Sequence, residues 1–157
     1  MIRDAVWPRD REAAIGFIEA LQRFEHAFEP NRRVDDGIGA EYFEVLMAAV
    51  VRQGGIVRIA EQDGRAVGWA VAWPEDDVIY VREQDRRFLY ISELYVEEGL
   101  RGTGLGRALI AACEEWARGQ GLRFARIGVM AKNIRADAVY RRAGFEPYAI
   151  RLAKRLD

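Results

Sequence analysis

The chain has 157 residues, with 24 basic and 25 acidic side chains and a formal net charge of −1. That near-balance excludes nucleic-acid binding through overall charge, a single cysteine excludes an internal disulfide, and no apolar run is long enough for a membrane span. Without a basic start leading into an apolar stretch and cleavage site, the expectation is a cytoplasmic protein with no membrane or nucleic-acid partner, folding as one domain over residues 1–157 with a core that needs no metal.

Ile2 to Trp7 alternates and is β-prone up to Pro8, which reads as an edge strand. Asp10 is placed to cap a helix whose apolar face is Ala14, Phe17, Ile18, Leu21 and Phe24 or Phe28. His26 lies off that stripe and has no partner at metal-ligand spacing, so it reads as a surface residue. After the polar link Glu29 to Gly37, a second helix runs from about Ile38 to Arg52 with Tyr42, Phe43, Leu46, Met47 and Val50 inward. Gly54-Gly55 ends it. Ile56 to Glu61 and Ala66 to Trp73 then flank Asp63-Gly64, the turn chemistry of a hairpin. Pro74 to Arg87 reads as a lengthened strand connection or an extra hairpin, where Trp69, Trp73 and Tyr80 either line a pocket or simply fill core.

Phe88 to Val96 is the central strand. Arg101-Gly102-Thr103-Gly104-Leu105-Gly106 follows it, leading into the helical stripe Leu105, Ala108, Leu109, Ala112, Cys113 and Trp116, which extends to about Gly119. Cys113 sits on the apolar face and reads as a small buried hydrophobe. Leu122 to Met130 reads as a strand, Asn133 caps a helix carrying Ala136, Val139, Tyr140 and Ala143 on one face, Gly144 closes it, and Phe145 to Leu152 reads as a final strand.

A helix opening inside a glycine turn aims unpaired backbone N–H groups and the positive end of its dipole at whatever lies in front, and suits a pyrophosphate. The Gly-x-Gly-x-Gly spacing does not fit the dinucleotide fingerprint, and Arg107-Ala108 stands where a P-loop carries Lys-Ser or Lys-Thr.

The Arg-Gly-x-Gly-Leu-Gly pattern after a strand ending Glu-Leu-Tyr-Val, with Asn133-x-x-Ala136-x-x-x-Tyr140 and Gly144-Phe145 downstream, resembles the two signatures of the GNAT superfamily of N-acetyltransferases. The resemblance covers nearly the whole chain. It implies an α/β (α+β) acyl-CoA N-acyltransferase fold, a mixed sheet of six to seven strands flanked by about four helices. It also implies acetyl-CoA as co-substrate, no metal, and direct transfer in a ternary complex to a primary amine on a small molecule or protein. Dimers are common among such proteins, which leaves the oligomeric state open between a monomer and a homodimer. Under the resemblance, Arg101, Gly102, Thr103, Gly104, Leu105 and Gly106 hold the pyrophosphate, and Leu94, Tyr95 and Val96 hydrogen-bond the pantetheine arm where neighbouring strands splay. Asn133 either binds that arm or only caps its helix, and Arg101 either contacts phosphate or sits solvated. Tyr140 faces the thioester sulfur. Glu93, a carboxylate amid Ile91, Leu94 and Val96, is the general base, an anionic anchor for a cationic acceptor, or an outward-facing strand residue. The alternative to catalysis is a non-catalytic module of this fold that binds acyl-CoA as a sensor. A proline is frequent before the glycine turn in the superfamily; Glu97-Glu98-Gly99 stands there instead.

Overall fold

The computed structural model describes residues 1–157. The elements in chain order are β1 (Ile2–Asp4), α1 (Arg11–His26), α2 (Ile38–Gln53), β2 (Ile56–Gln62), β3 (Arg65–Asp76), the single turn α3 (Glu83–Arg86), β4 (Arg87–Val96), α4 (Leu105–Gly119), β5 (Ala125–Ile127) and α5 (Ile134–Arg142). A 3-10 turn, Glu98–Leu100, lies before α4. The strands form one sheet in the order β1-β2-β3-β4-β5, antiparallel except for the parallel pair β4–β5. No helix is long and apolar enough to cross a membrane.

Each face of the sheet buries its own core. On one side, α1 and α2 pack Ala14, Phe17, Ile18, Phe43 and Leu46 onto Val57, Ile59, Trp69 and Val71. On the other, α4 packs Leu109, Ile110, Cys113 and Ala117 onto Ala60, Ala70, Ala72, Leu89 and Ile91, with Tyr140 and Phe145 against the margin. Both helical stripes therefore meet the faces that their spacing requires. The hairpin turn has Asp63 and Gly64 both at positive φ, 51° and 76°, as a primed turn demands.

The mixed sheet and the main helices agree with expectation, but it has five strands rather than six or seven. Phe145 to Leu152 is not a strand: from Glu146 onward no backbone group makes a hydrogen bond within the chain. A strand exists only by pairing, and nothing in the single chain pairs with this one. The strand expected over Leu122 to Met130 shrinks to three residues for the same reason, having a neighbour on one side only.

Pro74 to Arg87 resolves as an extended hairpin. β3 runs through Pro74 to Asp76 and pairs with β4 down to Arg87, while α3 shapes the tip. Pro74 is tolerated because β2 stops pairing at Ala72, which leaves β3 with one neighbour beyond it. Trp69 is core, Trp73 stacks edge-on against Tyr90 at 5.7 Å, and Tyr80 stands exposed at the tip. Asp10 precedes α1, but its side chain does not cap it. The carboxylate instead turns back to Arg3, at 2.7 and 2.8 Å, and to the Val6 N–H at 2.8 Å, which holds it well below the usual carboxylate range.

The β3–β4 pair carries an irregularity at Val71/Ala72, where Val71 faces Glu93, Ala72 faces Ile91 and Ser92 is the extra residue. Near it, a Cβ on Gly68 would lie 2.6 Å from the Tyr95 carbonyl oxygen. Gly68→Ala is therefore expected to force the two strands apart and lose about 1–3 kcal/mol of stability, measured by urea unfolding; unchanged stability would mean that the pair yields there.

Candidate active site

β4 is where the site is made. Leu89 and Ile91 face α4, and unbroken alternation would send residue 93 the same way. The bulge at Ser92 reverses the register, so Glu93 faces α2 while Leu94 and Val96 return to the α4 side. Beyond the bulge β4 also loses its parallel neighbour: the β4–β5 pairing covers Leu89 to Ile91 against Ala125 to Ile127 and stops. The side of Leu94 to Val96 toward β5 has no strand partner.

Glu93 and Asp10 are the only buried charged residues. Asp10 has Arg3; Glu93 forms no ion pair with any cation. Its single bonded partner is the Tyr42 hydroxyl, which donates to Oε1 at 2.9 Å. Burial pushes the Glu93 carboxyl up to about 7, the Tyr42 hydrogen bond opposes that rise, and the charge of Glu25 on α1 adds to it. The Tyr42 phenol is itself pushed up, by burial and then by the Glu93 charge. Spacing alone places Tyr42 on the inward face of α2; a phenol buried there needs a partner for its hydroxyl, which is the signal for a polar group opposite it.

Tyr140 on α5 packs at the edge of the α4-side core, with the Phe145 ring 6.2 Å away. Burial raises its phenol to about 12, and both Glu25 and Glu93 add to the rise, so α1, β4 and α5 bring these groups into one electrostatic neighbourhood. Asn133 accepts the Ala136 N–H at 3.1 Å as the cap of α5.

The glycine turn lies past the end of β4. Gly102 and Gly104 hold φ of 86° and 94°, and a Cβ on either would meet nothing within 4 Å, so glycine is required by the backbone and the space in front is open. The N–H groups of Leu105, Gly106 and Arg107 have no backbone acceptor, and Thr103 closes the turn by donating its hydroxyl to the Leu100 carbonyl at 2.7 Å. Arg101 is turned elsewhere: Nε donates to the Val96 carbonyl at 3.0 Å, and the guanidinium lies over the Phe24 and Tyr95 rings at 4.9 and 5.6 Å.

Other residues are accounted for structurally. Cys113 is buried and its thiol is pushed up to about 12, away from nucleophilic chemistry. His26 Nδ1 lies 2.9 Å from the Arg32 carbonyl and tethers the α1–α2 link. Within that link, a cleft of about 180 Å³ is lined by Glu19, Arg23, Asp35 and Asp36 among others, but Asp35 is already clamped by Arg33 at 2.8 and 2.9 Å.

The profile of the Acetyltransferase (GNAT) family matches residues 19–145, and the chain belongs to that family. It is 28% identical over 103 residues to an aminoglycoside N(6')-acetyltransferase type 1 of Stenotrophomonas maltophilia, covering 66% of this chain and 67% of that one. Its fold is shared with the BH1408 protein of Bacillus halodurans, at TM-score 0.85 and 19% identity with 99% of both chains covered. It is shared also with aminoglycoside N-acetyltransferase AAC(6')-Iy solved in complex with CoA, at TM-score 0.75 and 22% identity with 99% and 93% covered.

A Glu93 that binds its proton more tightly folded (about 7) than unfolded (about 4.5) stabilises the fold at low pH and loses that contribution as pH rises between the two values. Glu93→Gln is therefore expected to gain stability relative to the parent on going from pH 5 to pH 8, by up to about 3 kcal/mol. Urea midpoints at the two pH values measure this, and a difference independent of pH would mean that Glu93 does not titrate near neutrality.

Proposed function

We propose that this acetyltransferase-family chain moves the acetyl group of acetyl-CoA directly to a primary amine in a ternary complex. The observation that carries the reading is Glu93: a buried carboxylate with no cation beside it, held by one phenol at the point where β4 and β5 part. Such a group costs stability, and a base poised near the working pH is what that cost supplies.

In this reading the pyrophosphate of acetyl-CoA sits on the free N–H groups at the start of α4, with Gly102, Thr103, Gly104, Leu105 and Gly106 forming the cradle. The pantetheine arm lies along β4 beyond Ile91 and bonds the backbone of Leu94, which the ladder register turns away from β3, whereas the Tyr95 backbone faces β3; Arg101 already occupies the Val96 carbonyl. Arg101 and Asn133 then act as positioning residues, one fixing the end of β4 and the other starting α5.

The amine nitrogen attacks the thioester carbonyl, the C–N bond forms, and Glu93 takes the amine proton directly or through a water. As the C–S bond breaks, the Tyr140 hydroxyl hydrogen-bonds to the sulfur and delivers its proton, and Glu93 returns the amine proton to the phenolate through solvent. Products are the amide and CoA thiol, with atoms and charge balanced. With the phenol near 12 and a thiol near 8.5, full transfer before C–S cleavage would be uphill by about 5 kcal/mol, so donation accompanies cleavage. A lysine-like amine is roughly 4–5 kcal/mol from its neutral form at pH 7, which Glu93 and desolvation of the bound amine help to offset.

The acceptor is an amine of a small molecule or protein. Aminoglycosides head the acceptor screen because a matched relative bears their name. The competing reading, an acyl-CoA-binding module without transfer, predicts acetyl-CoA affinity with no free thiol released for any amine.

Calorimetric titration with acetyl-CoA, with ATP and NAD as controls, is expected to show saturable binding that Gly104→Asp abolishes; no binding by the parent chain overturns the proposal. Once an acceptor is found, kcat/KM is expected to rise with pH through about 7 as Glu93 loses its proton. Glu93→Gln is expected to lose about 10²–10⁴-fold in rate and that limb with it, while Tyr42→Phe, which removes the bond that lowers Glu93, shifts the limb to higher pH. Tyr140→Phe is expected to lower kcat while leaving acetyl-CoA affinity nearly unchanged.

A further inference from the structure

From Glu93 toward the start of β4, the α2 side of the sheet carries a second group of chemistry-bearing side chains. Leu89 and Ile91 face the α4 core, so Tyr90 between them faces the other way. Trp73, opposite Tyr90 on β3, packs at the margin of the α2-side core, and Glu75 two residues on shares its face. The Trp73 and Tyr90 rings meet edge-on at 5.7 Å. They form an aromatic floor with Glu93 and its Tyr42 partner at one end and Glu75 at the other.

Glu75 has no cation of its own. In the run Glu75-Asp76-Asp77, Asp76 pairs with Arg87 and Asp77 with Arg126, while the half-buried Glu75 carboxylate makes neither an ion pair nor a hydrogen bond. Burial pushes the Tyr90 phenol up and the charges of Glu75 and Glu93 both add to the rise, in keeping with a ring between the two carboxylates. Arg151, from the exposed tail, opposes that rise, yet it pairs with neither of them. Two rings flanked by two carboxylates without cations are complementary to an apolar body with a positive charge at each end.

The glycine turn lies past the far end of β4, so an acceptor that meets the thioester at Glu93 has the Tyr90 end of the strand left to it. We propose that Glu75, Trp73 and Tyr90 select the acceptor, an elongated diamine whose reacting nitrogen meets Glu93, whose hydrocarbon body lies on the two rings and whose far ammonium is held by Glu75. This rests on the acetyl-transfer reading and names its substrate class. Glu93 faces Val71 across the ladder and Glu75 is four residues further along β3, which sets the two nitrogens about 13 Å apart. The far ammonium gains a charge-assisted bond to a half-buried carboxylate. A monoamine leaves Glu75 unpaired, and a short diamine does not reach it.

Calorimetric titration of the CoA-saturated chain compares a linear diamine spanning about 13 Å, a diamine of about half that span and a monoamine as long as the first. The long diamine is expected to bind about tenfold tighter than the other two. Glu75→Gln is expected to remove that advantage, and Glu75→Lys to transfer it to the ω-amino acid of matched length. In turnover with acetyl-CoA, Glu75→Gln is expected to raise KM for the long diamine more than it lowers kcat. Equal binding of the three amines by the parent chain overturns the inference, as does a preference that survives Glu75→Gln. A preference that follows Glu75 without thiol release upholds the inference about this surface and counts against transfer alone, so the two readings fail separately.

Discussion

The feature on which the site depends is the parting of β4 from β5 after Ile91, set off by the extra residue at Ser92. The extra residue turns Glu93 from the apolar α4 face to the α2 face, and beyond it β4 has no strand partner on its β5 side. A regular ladder would bury Glu93 against Leu109 and Cys113, where a carboxylate has no partner at all. The bulge and the carboxylate are therefore two halves of one arrangement.

The two buried carboxylates are held in opposite ways. Asp10 is tied to Arg3 and an N–H, is held low, and locks β1 to the start of α1. Glu93 is given only a neutral donor, Tyr42, and is held high. An arginine in place of Tyr42 would stabilise the fold more and would keep Glu93 ionised, but so firmly that it would be a poor proton acceptor. Under the proposed role of Glu93 as base, stability is given up there and kept at Asp10, which is the distribution expected where function and folding compete.

Much of this was legible in the sequence. Helical stripes, the Asp-Gly hairpin, the glycine turn, the Asn133 cap and the oddity of Glu93 each rest on local rules of spacing and backbone chemistry, and each is found in place. What escaped depends on partners far away in sequence. Alternation through Leu89, Ile91 and Glu93 gives no hint of an extra residue at Ser92, because a bulge is set by register with β3. Tyr42 meets Glu93 across 51 residues. The tail reads as a strand and has strand alternation, but no partner in its own chain, so local pattern and realised structure part there.

Arg101 illustrates why a motif fixes chemistry less firmly than it fixes backbone. Its place beside the glycine turn invites a phosphate contact, but Phe24, Tyr95 and the Val96 carbonyl together offer the guanidinium two ring faces and an acceptor without a ligand present. Held there, it ties α1 to the end of β4. In the proposed reading, the charge that meets a pyrophosphate then comes largely from the open end of α4, where backbone N–H groups are fixed by the fold and need no side chain to be ordered on binding. That division explains the three glycines: a cradle built from backbone demands the absence of side chains at its rim more than the presence of a cation.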